Sequence, residues 1–454
     1  MNQQMEQKIK VGEKITFFLA NVGNIPIMTL ISAYLLIFYT DVVGLSAAAV
    51  GTLFLLTKIL DGINDPIVGF IIDRIPRKKN GKFRTLLFIG AIMCSINFIL
   101  LWYGPALAPD AIKMAIAYIT YILIGITFDV MDISLNSLIP VMTTNMKERT
   151  SLSAIKGAGY MLGAVIVSIG APLIINAFAT KRTGYFILIA VTTIIVLLFS
   201  IIGAVGVKER VTAINEDKYS LKQMISFLTV GPVFAAFISQ LLFVSGKAIL
   251  IASEVYFATY IFGDLKIVSL CSVIMLAGMI PALMITGLLV KKSSKRLVYS
   301  LGILIYGCAL LIRLLQVDNL KFLYLTYIFM GFGTGLVMVL MYGIQADNID
   351  YVEYKTGKRA EGAISALQSF VAKVGGTLGA AIPAYILSMT GYVANAEQSV
   401  AAKSGMVIST LVIPAIFCVA AAAVFWFVYP LNNKKLDEMQ AELNQLRENS
   451  NKME

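Results

Sequence analysis

The chain has no histidine at all, so an imidazole base, a histidine proton relay and a histidine metal site are all excluded. Charge is scarce as well. Asp, Glu, Lys and Arg together make up 14% of the 454 residues, against about 25% in soluble domains. Apolar residues reach 58%, and a chain with so little charge cannot cover the surfaces of several soluble domains. The four cysteines, Cys94, Cys271, Cys308 and Cys418, all lie inside apolar runs. They read as small buried hydrophobes rather than as disulfides or a metal knot. The two tryptophans, Trp102 and Trp426, fall near the ends of such runs, where a place in the interfacial belt is expected. No cleavable leader is expected, because Met1 to Glu13 is polar and the next apolar run is too long.

What is abundant is long apolar sequence. A membrane helix needs about 20 such residues. Twelve runs qualify, at about 15–39, 46–73, 85–104, 113–141, 154–179, 184–206, 231–262, 267–290, 297–315, 320–345, 362–390 and 404–430. The fold class this predicts is an all-α membrane protein, with twelve transmembrane helices in two six-helix halves. The halves are expected at 1–206 and 224–430, joined by a cytoplasmic linker at 207–223. An amphipathic cytoplasmic tail is expected at 431–454, with Leu436, Met439, Leu443 and Leu446 on one stripe.

The net charge of +11 is explained by the same reading. With both termini in the cytoplasm, 27 of the 37 Lys and Arg fall on the cytoplasmic side, six fall outside and four lie within spans. That asymmetry fits the positive-inside rule and a multi-pass protein of the cell membrane, and it removes any need for a nucleic-acid partner. The two strongest basic loops follow the second and eighth spans, which are matching positions in the two halves. A weak internal repeat of this kind is the mark of a six-plus-six transporter.

Several charges lie inside the spans, where each central Asp, Lys or Arg costs roughly 2.5–3.5 kcal/mol on insertion scales. The second span carries Lys58, Asp61, Asn64 and Asp65. Asp61 and Asp65 are four apart and share a helix face. The fourth span adds Asp129 and Asp132, with Asn136 one turn further. Clustered carboxylates with an amide suit a small hard cation, and they suit a proton equally well. The eleventh span supplies Gln368 and Lys373, and the seventh supplies Lys247 and Glu254, seven apart on one side. Arg313 lies at a span end, where snorkelling to the interface is the ordinary expectation.

Four stretches bring a family into view. They are Tyr39–Ser46 (YTDVVGLS); Gly51–Phe54 leading into Asp61–Pro66 (DGINDP); Met131–Ile133 (MDI); and Ala346–Gly362, with its KTGxRxEG run. Gly391, Tyr392 and Gln398 fit the run before the last span, and Gly69–Lys78 looks like the loop motif of the major facilitator superfamily. Over nearly its whole length the chain resembles the glycoside-pentoside-hexuronide:cation symporters, of which the melibiose carrier is best known. The resemblance implies a coupling cation, H+ or Na+, at Asp61, Asp65 and Asp132, supported by Asn64 and joined by Asp129. It implies a substrate site that includes Asp132, Gln368 and Lys373. Asp73, Arg74, Arg77, Arg359 and Glu361 match the cytoplasmic gating loops.

The departures bear on the substrate. The melibiose carrier has Lys-Asp after a Gly in the first span, where this chain has Gly23-Asn24-Ile25, so its sugar-binding acid is missing; its stacking Trp in the fourth span is replaced by Asn136, and its Arg in the fifth span by Gly157, with Lys156 beside it. Asp129 stands where a cation-site Thr is expected. Asn24, Asn136 and Lys156 are therefore carried as substrate contacts for something other than a galactoside. The expected function is cation-coupled symport of a glycoside, pentoside or hexuronide by alternating access. The alternatives are carriage of a non-sugar organic solute or lipid, or a transporter-like sensor. No catalytic set is visible, no cofactor is implied, no metal is implied beyond Na+, and the working unit is expected to be a monomer in the bilayer.

Overall fold

The structure is a computed structural model that describes residues 9–76, 81–143, 145–210, 230–356, 361–432, 434–436, 438–439 and 441–443. Among these the regular structure is all helix. Eleven segments are long and apolar enough to cross a membrane. The expected second span forms a helix of 28 residues, Ala47–Arg74. At 1.5 Å per residue it measures about 42 Å, enough to cross. Only its first part, Ala47–Thr57, is uniformly apolar, because Lys58, Asp61 and Asp65 interrupt the rest.

The chain divides into two compact units. The first holds α1 (Val11–Phe38, continued by a π-helical turn at Tyr39–Val43), α2 (Ala47–Arg74), α3 (Phe83–Leu107), α4 (Lys113–Asn136), the short α5 (Leu138–Met142), α6 (Met146–Asn176) and α7 (Lys181–Gly206). It also takes in Asp264–Ser269 and Tyr392–Glu397 from later in the chain. The second holds α8 (Gly231–Phe257, with a π turn to Phe262), most of α9 (Lys266–Lys292), α10 (Lys295–Arg313), α11 (Leu320–Thr356), α12 (Glu361–Met389), α13 (Val400–Val407) and α14 (Ile413–Val428). Ser46, Thr180, Ser294 and Ser399 cap α2, α7, α10 and α13 by accepting from backbone N–H groups of the first turn.

Three boundaries differ from the sequence reading. The fourth span breaks after Asn136 instead of running to residue 141. Pro140 has no N–H to donate to Asn136, so the helix stops one turn earlier. The fifth span starts at Met146, about two turns early. The tenth continues to Thr356, so the first part of the Ala346–Gly362 stretch is helix and not loop.

Glycines set the closest helix approaches in the first unit. A Cβ on Gly159 of α6 would lie 2.9 Å from Asn21 Cβ and from the Phe18 carbonyl of α1; on Gly163 it would lie 2.5 Å from the Val22 carbonyl. Gly203 and Gly206 of α7 bring that helix equally close to Ala20 and Thr16 of α1. This small-residue seam is how membrane helices gain packing where the hydrophobic effect is absent. Trp102 is buried rather than in the belt: it is 0% exposed, stacked near-parallel on Tyr185 with 6.0 Å between centroids, and 4.9 Å from Phe38. Trp426 is 39% exposed, in keeping with a belt position.

Each unit is closed by the same bond. Arg84 opens α3 and donates to Ala204 O (2.8 Å) and Val205 O (2.7 Å) at the end of α7. Arg296 opens α10 and donates to Trp426 O at the end of α14. In both cases an arginine takes up carbonyls that a helix C-terminus leaves unpaired. Glu209 adds to this in the first unit, accepting from the N–H groups of Lys82 (2.9 Å) and Arg84 (2.7 Å). Its carboxylate packs against Gly81, whose φ of +92° leaves no room for a Cβ. Lys295 binds both carboxylate oxygens of Asp347 at 2.8 Å in the second. Beyond α14, Leu436, Met439 and Leu443 are buried and Tyr354 donates to Glu442 (2.7 Å), so the described part of the tail lies on the protein. Leu446 is outside the described residues.

A matched pair of substitutions tests the seam. Gly163→Ala is expected to cost about 1–3 kcal/mol through overpacking. Gly170→Ala, on the same helix but with nothing within 4 Å of its Cβ position, is expected to be neutral or to gain up to about 1 kcal/mol of helix propensity. Thermal unfolding of the two purified variants in detergent reads the difference.

Candidate functional site

The fourth and fifth spans build the best-defined polar cluster of the first unit. Asp132 projects from the last turns of α4, and both of its oxygens are engaged. Asn136 Nδ2 donates to Oδ2 at 2.8 Å, and the Tyr160 hydroxyl donates to Oδ1 at 2.9 Å. Lys156 Nζ stands over the Tyr160 ring, 5.3 Å from its centroid, and lies within electrostatic range of Asp132. Asp132, Asn136 and Lys156 are thus brought together as expected. Tyr160 is a member that sequence reasoning missed. Its signal was its place four residues after Lys156, on the same helix face.

Asp129 is half-buried on α4 and lies within electrostatic range of Cys94 on α3. Asn24 is buried on α1, and neither its Nδ2 nor its Oδ1 has a hydrogen-bond partner. An amide left so is costly unless something else fills it. Asp61, Asn64 and Asp65 sit on α2, but their side chains are outside the described residues, as is that of Asp73. Arg74 is exposed at the end of α2. Arg77 and Arg359 lie outside the described residues, and Glu361 opens α12 with its side chain likewise undescribed. Among the described residues no three Asp, Glu or Cys side chains converge as a metal site.

Two family stretches without a sequence-level role meet in this unit. Asp41, in the π turn after α1, accepts from the hydroxyls of Thr40 (2.7 Å) and Tyr392. Its backbone carbonyl accepts from Asn395 Nδ2 at 2.6 Å, and Lys181 stands 3.9 Å from its carboxylate.

In the second unit the seventh-span charges do not act as a pair. Glu254 accepts from the Tyr327 hydroxyl of α11 at 2.7 Å. Lys247 Nζ instead lies over the Phe243 ring at 5.8 Å. Arg313 does not snorkel. It is 1% exposed, folded over the rings of Phe257 (5.1 Å) and Phe262 (5.7 Å), with one bond from Nη2 to Val317 O at 3.3 Å. A helical side chain leans toward the helix N-terminus, which carries this one inward from the end of α10.

Lys373 is exposed on α12. Gln368, about a turn and a half before it, lines a small cavity of about 40 Å³ in the second unit, together with Phe237, Gln240, Tyr299, Gln345 and Asn348.

Residues 16–433 match the family described as MFS/sugar transport protein. An uncharacterized symporter of Bacillus subtilis (strain 168), YnaJ, is 31% identical over 450 residues, covering 96% of this chain and 95% of that one. The isoprimeverose transporter of Lactiplantibacillus pentosus is 31% identical over 446 residues, covering 94% and 91%. Among solved structures, the D-xylose-proton symporter superposes with a TM-score of 0.65 at 18% identity, covering 92% of this chain and 98% of that one. At that identity the likeness speaks for the fold alone.

The Glu254 contact is testable by itself. Tyr327→Phe is expected to cost about 1–3 kcal/mol, because the carboxyl loses its hydroxyl donor. Adding Glu254→Leu is expected to deepen that loss, since it leaves the buried Arg313, which lies within electrostatic range of Glu254, without its nearby acid. Thermal unfolding of the single and double variants reads this.

Proposed function

Because the chain belongs to the MFS/sugar transport family, a multi-pass membrane transporter of saccharides and not an enzyme, we propose that it couples the entry of a glycoside, pentoside or hexuronide to H+ or Na+. The observation that carries this reading is the polar cluster around Asp132, set in a membrane helix. The symporter and isoprimeverose-transporter relatives support both the coupling and the substrate class.

The proposed steps follow from the charges. An ionised carboxylate in the membrane is stabilised by a bound cation or by a proton. Cation binding at Asp61, Asp65 and Asp132, with Asn64 and Asp129 at hand, lowers the charge of the site and favours the substrate-competent state. A differential affinity of a few kcal/mol between two states is enough to shift their populations. Asn136 and Tyr160 hold Asp132 in one orientation until the cation competes for its oxygens. Asn24, Lys156, Gln368 and Lys373 are proposed as substrate contacts. The basic loops, with Asp73, Arg74, Arg77, Arg359 and Glu361, control access on the side that we place in the cytoplasm with both termini. The monomer is the proposed working unit.

Asp61→Asn and Asp65→Asn are each expected to abolish cation-driven accumulation while leaving insertion and yield intact. Uptake into vesicles with imposed Na+ or pH gradients decides. Parent-like accumulation in both variants would remove the α2 acids from the coupling site. A thermal-shift panel of neutral and acidic saccharides, with and without Na+ at two pH values, is expected to show one sugar whose stabilisation grows with Na+ or with acid.

A further inference from the structure

One group of ionisable side chains takes no part in the coupling proposed above. It lies where α8 ends, α10 ends and α11 begins. Glu254 stands one turn before the end of α8, Arg313 is the last residue of α10, and Tyr327 lies two turns into α11. All three belong to the second unit.

Glu254 and Arg313 are matched in charge but are not in contact. Glu254 accepts from the Tyr327 hydroxyl at 2.7 Å. Arg313, 1% exposed, keeps Nε and Nη1 without any hydrogen-bond partner. Its charge is met by the Phe257 and Phe262 rings and, through Nη2, by the Val317 carbonyl. Glu254 lies within electrostatic range of it. An ion pair that served only to hold two helices together would close this gap, because a buried guanidinium with unfilled donors and a carboxylate both gain by meeting. The observed contact is the one that suits a neutral carboxyl, which accepts from a phenol at its carbonyl oxygen and leaves the guanidinium alone.

Two opposed effects act on this one group. The membrane penalises an ionised Glu254, and a nearby guanidinium favours it. The other titratable groups within range of Glu254 are Tyr306 of α10, Tyr327 of α11 and Cys271 of α9, and Asp318 after α10 is within range of Arg313. Lys247, two turns away on α8, lies over Phe243 and is in range of Cys418 of α14. α12 meets α8 through Gly375 and Gly379. Glu254 is half-buried rather than enclosed, and its place near three helix ends gives a proton a short way to water.

We propose that Glu254 is a proton-binding site of the second unit, with Tyr327 as the partner of the neutral carboxyl and Arg313 as the partner of the carboxylate. On release the carboxyl O–H bond breaks and the proton passes to water at the helix ends. The carboxylate then turns from Tyr327 to the unfilled N–H groups of Arg313, and Tyr327 keeps its own proton throughout. The exchange changes which helices are tied. With the proton on, α8 is bonded to α11; with the proton off, α8 is paired with α10. Acid favours the first state and alkali the second, so protonation biases a two-state contact between helices. The site is separate from the acids of α2 and α4 and does not rest on their assignment to the coupling cation.

The test is infrared spectroscopy of the full-length purified protein across a pH series, with isotope-labelled glutamate to separate its carboxyl stretch from that of aspartate. A protonated-glutamate band is expected in acid, lost as pH rises and absent from Glu254→Gln. Arg313→Met removes the partner of the carboxylate and is expected to carry that loss about 1–3 pH units further to the alkaline side; Arg313→Gln serves where the methionine variant does not fold. Arg313→Lys keeps the charge and is expected to bring the loss back toward the parent. Tyr327→Phe is expected to move the frequency of the band without abolishing it, which identifies the band where Glu254→Gln does not fold. Asp132→Asn is expected to leave the band in place, so the result is read apart from the coupling proposal. A Glu254 band seen at no pH marks a permanent ion pair and overturns the proposal. A band that persists at every pH marks a permanently neutral acid and overturns it as well. A band that titrates identically in the parent and in the Arg313 variants overturns it too, because no exchange of partners then accompanies the proton.

Discussion

An ionised side chain inside a membrane has no bulk water to stabilise it, and much of this molecule is organised around that fact. Asp132 has two donors on its two oxygens. Glu254 has a tyrosine hydroxyl. Arg313 is turned inward over two phenylalanine rings, whose faces attract a cation by their quadrupoles. These solutions differ in how easily they are exchanged. Neutral donors such as an amide or a phenol hold a carboxylate in place without cancelling its charge, so a cation that arrives still gains by binding. A direct ion pair would have satisfied the acid and removed that gain. The donor set around Asp132 is therefore compatible with a site that is oriented while it is empty.

The sequence made a good part of this legible. Apolar runs of sufficient length located the helices, and the i,i+4 and i,i+3 spacings put Asp132 and Asn136 on one face, where they do bond. The partners were less visible. Tyr160 and Tyr327 read as ordinary apolar-span aromatics, because a phenol hydroxyl leaves no periodicity. Trp102 sits where a belt residue would, and only the rings of Phe38, Phe98 and Tyr185 packed around it show that it is enclosed. The break after Asn136 was signalled by Pro140, four residues on, and was lost in an otherwise continuous apolar run. Arg313 was misread because position near a span end says nothing about which way a long side chain folds when rings lie beside it.

The arginine that closes each unit has a consequence for how the protein is made. Arg84 and Arg296 stand at the start of the third helix of their sets, and the carbonyls they take up stand at the end of the sixth. Neither set is closed until its last helix has arrived, and each can close with its own residues alone. Synthesis runs from the N-terminus, and units of this kind fold as they are completed. The first six helices can thus close on one another while the later ones are still being made, and the bonds of Tyr392 and Asn395 to Asp41 are added to that unit only near the end of synthesis.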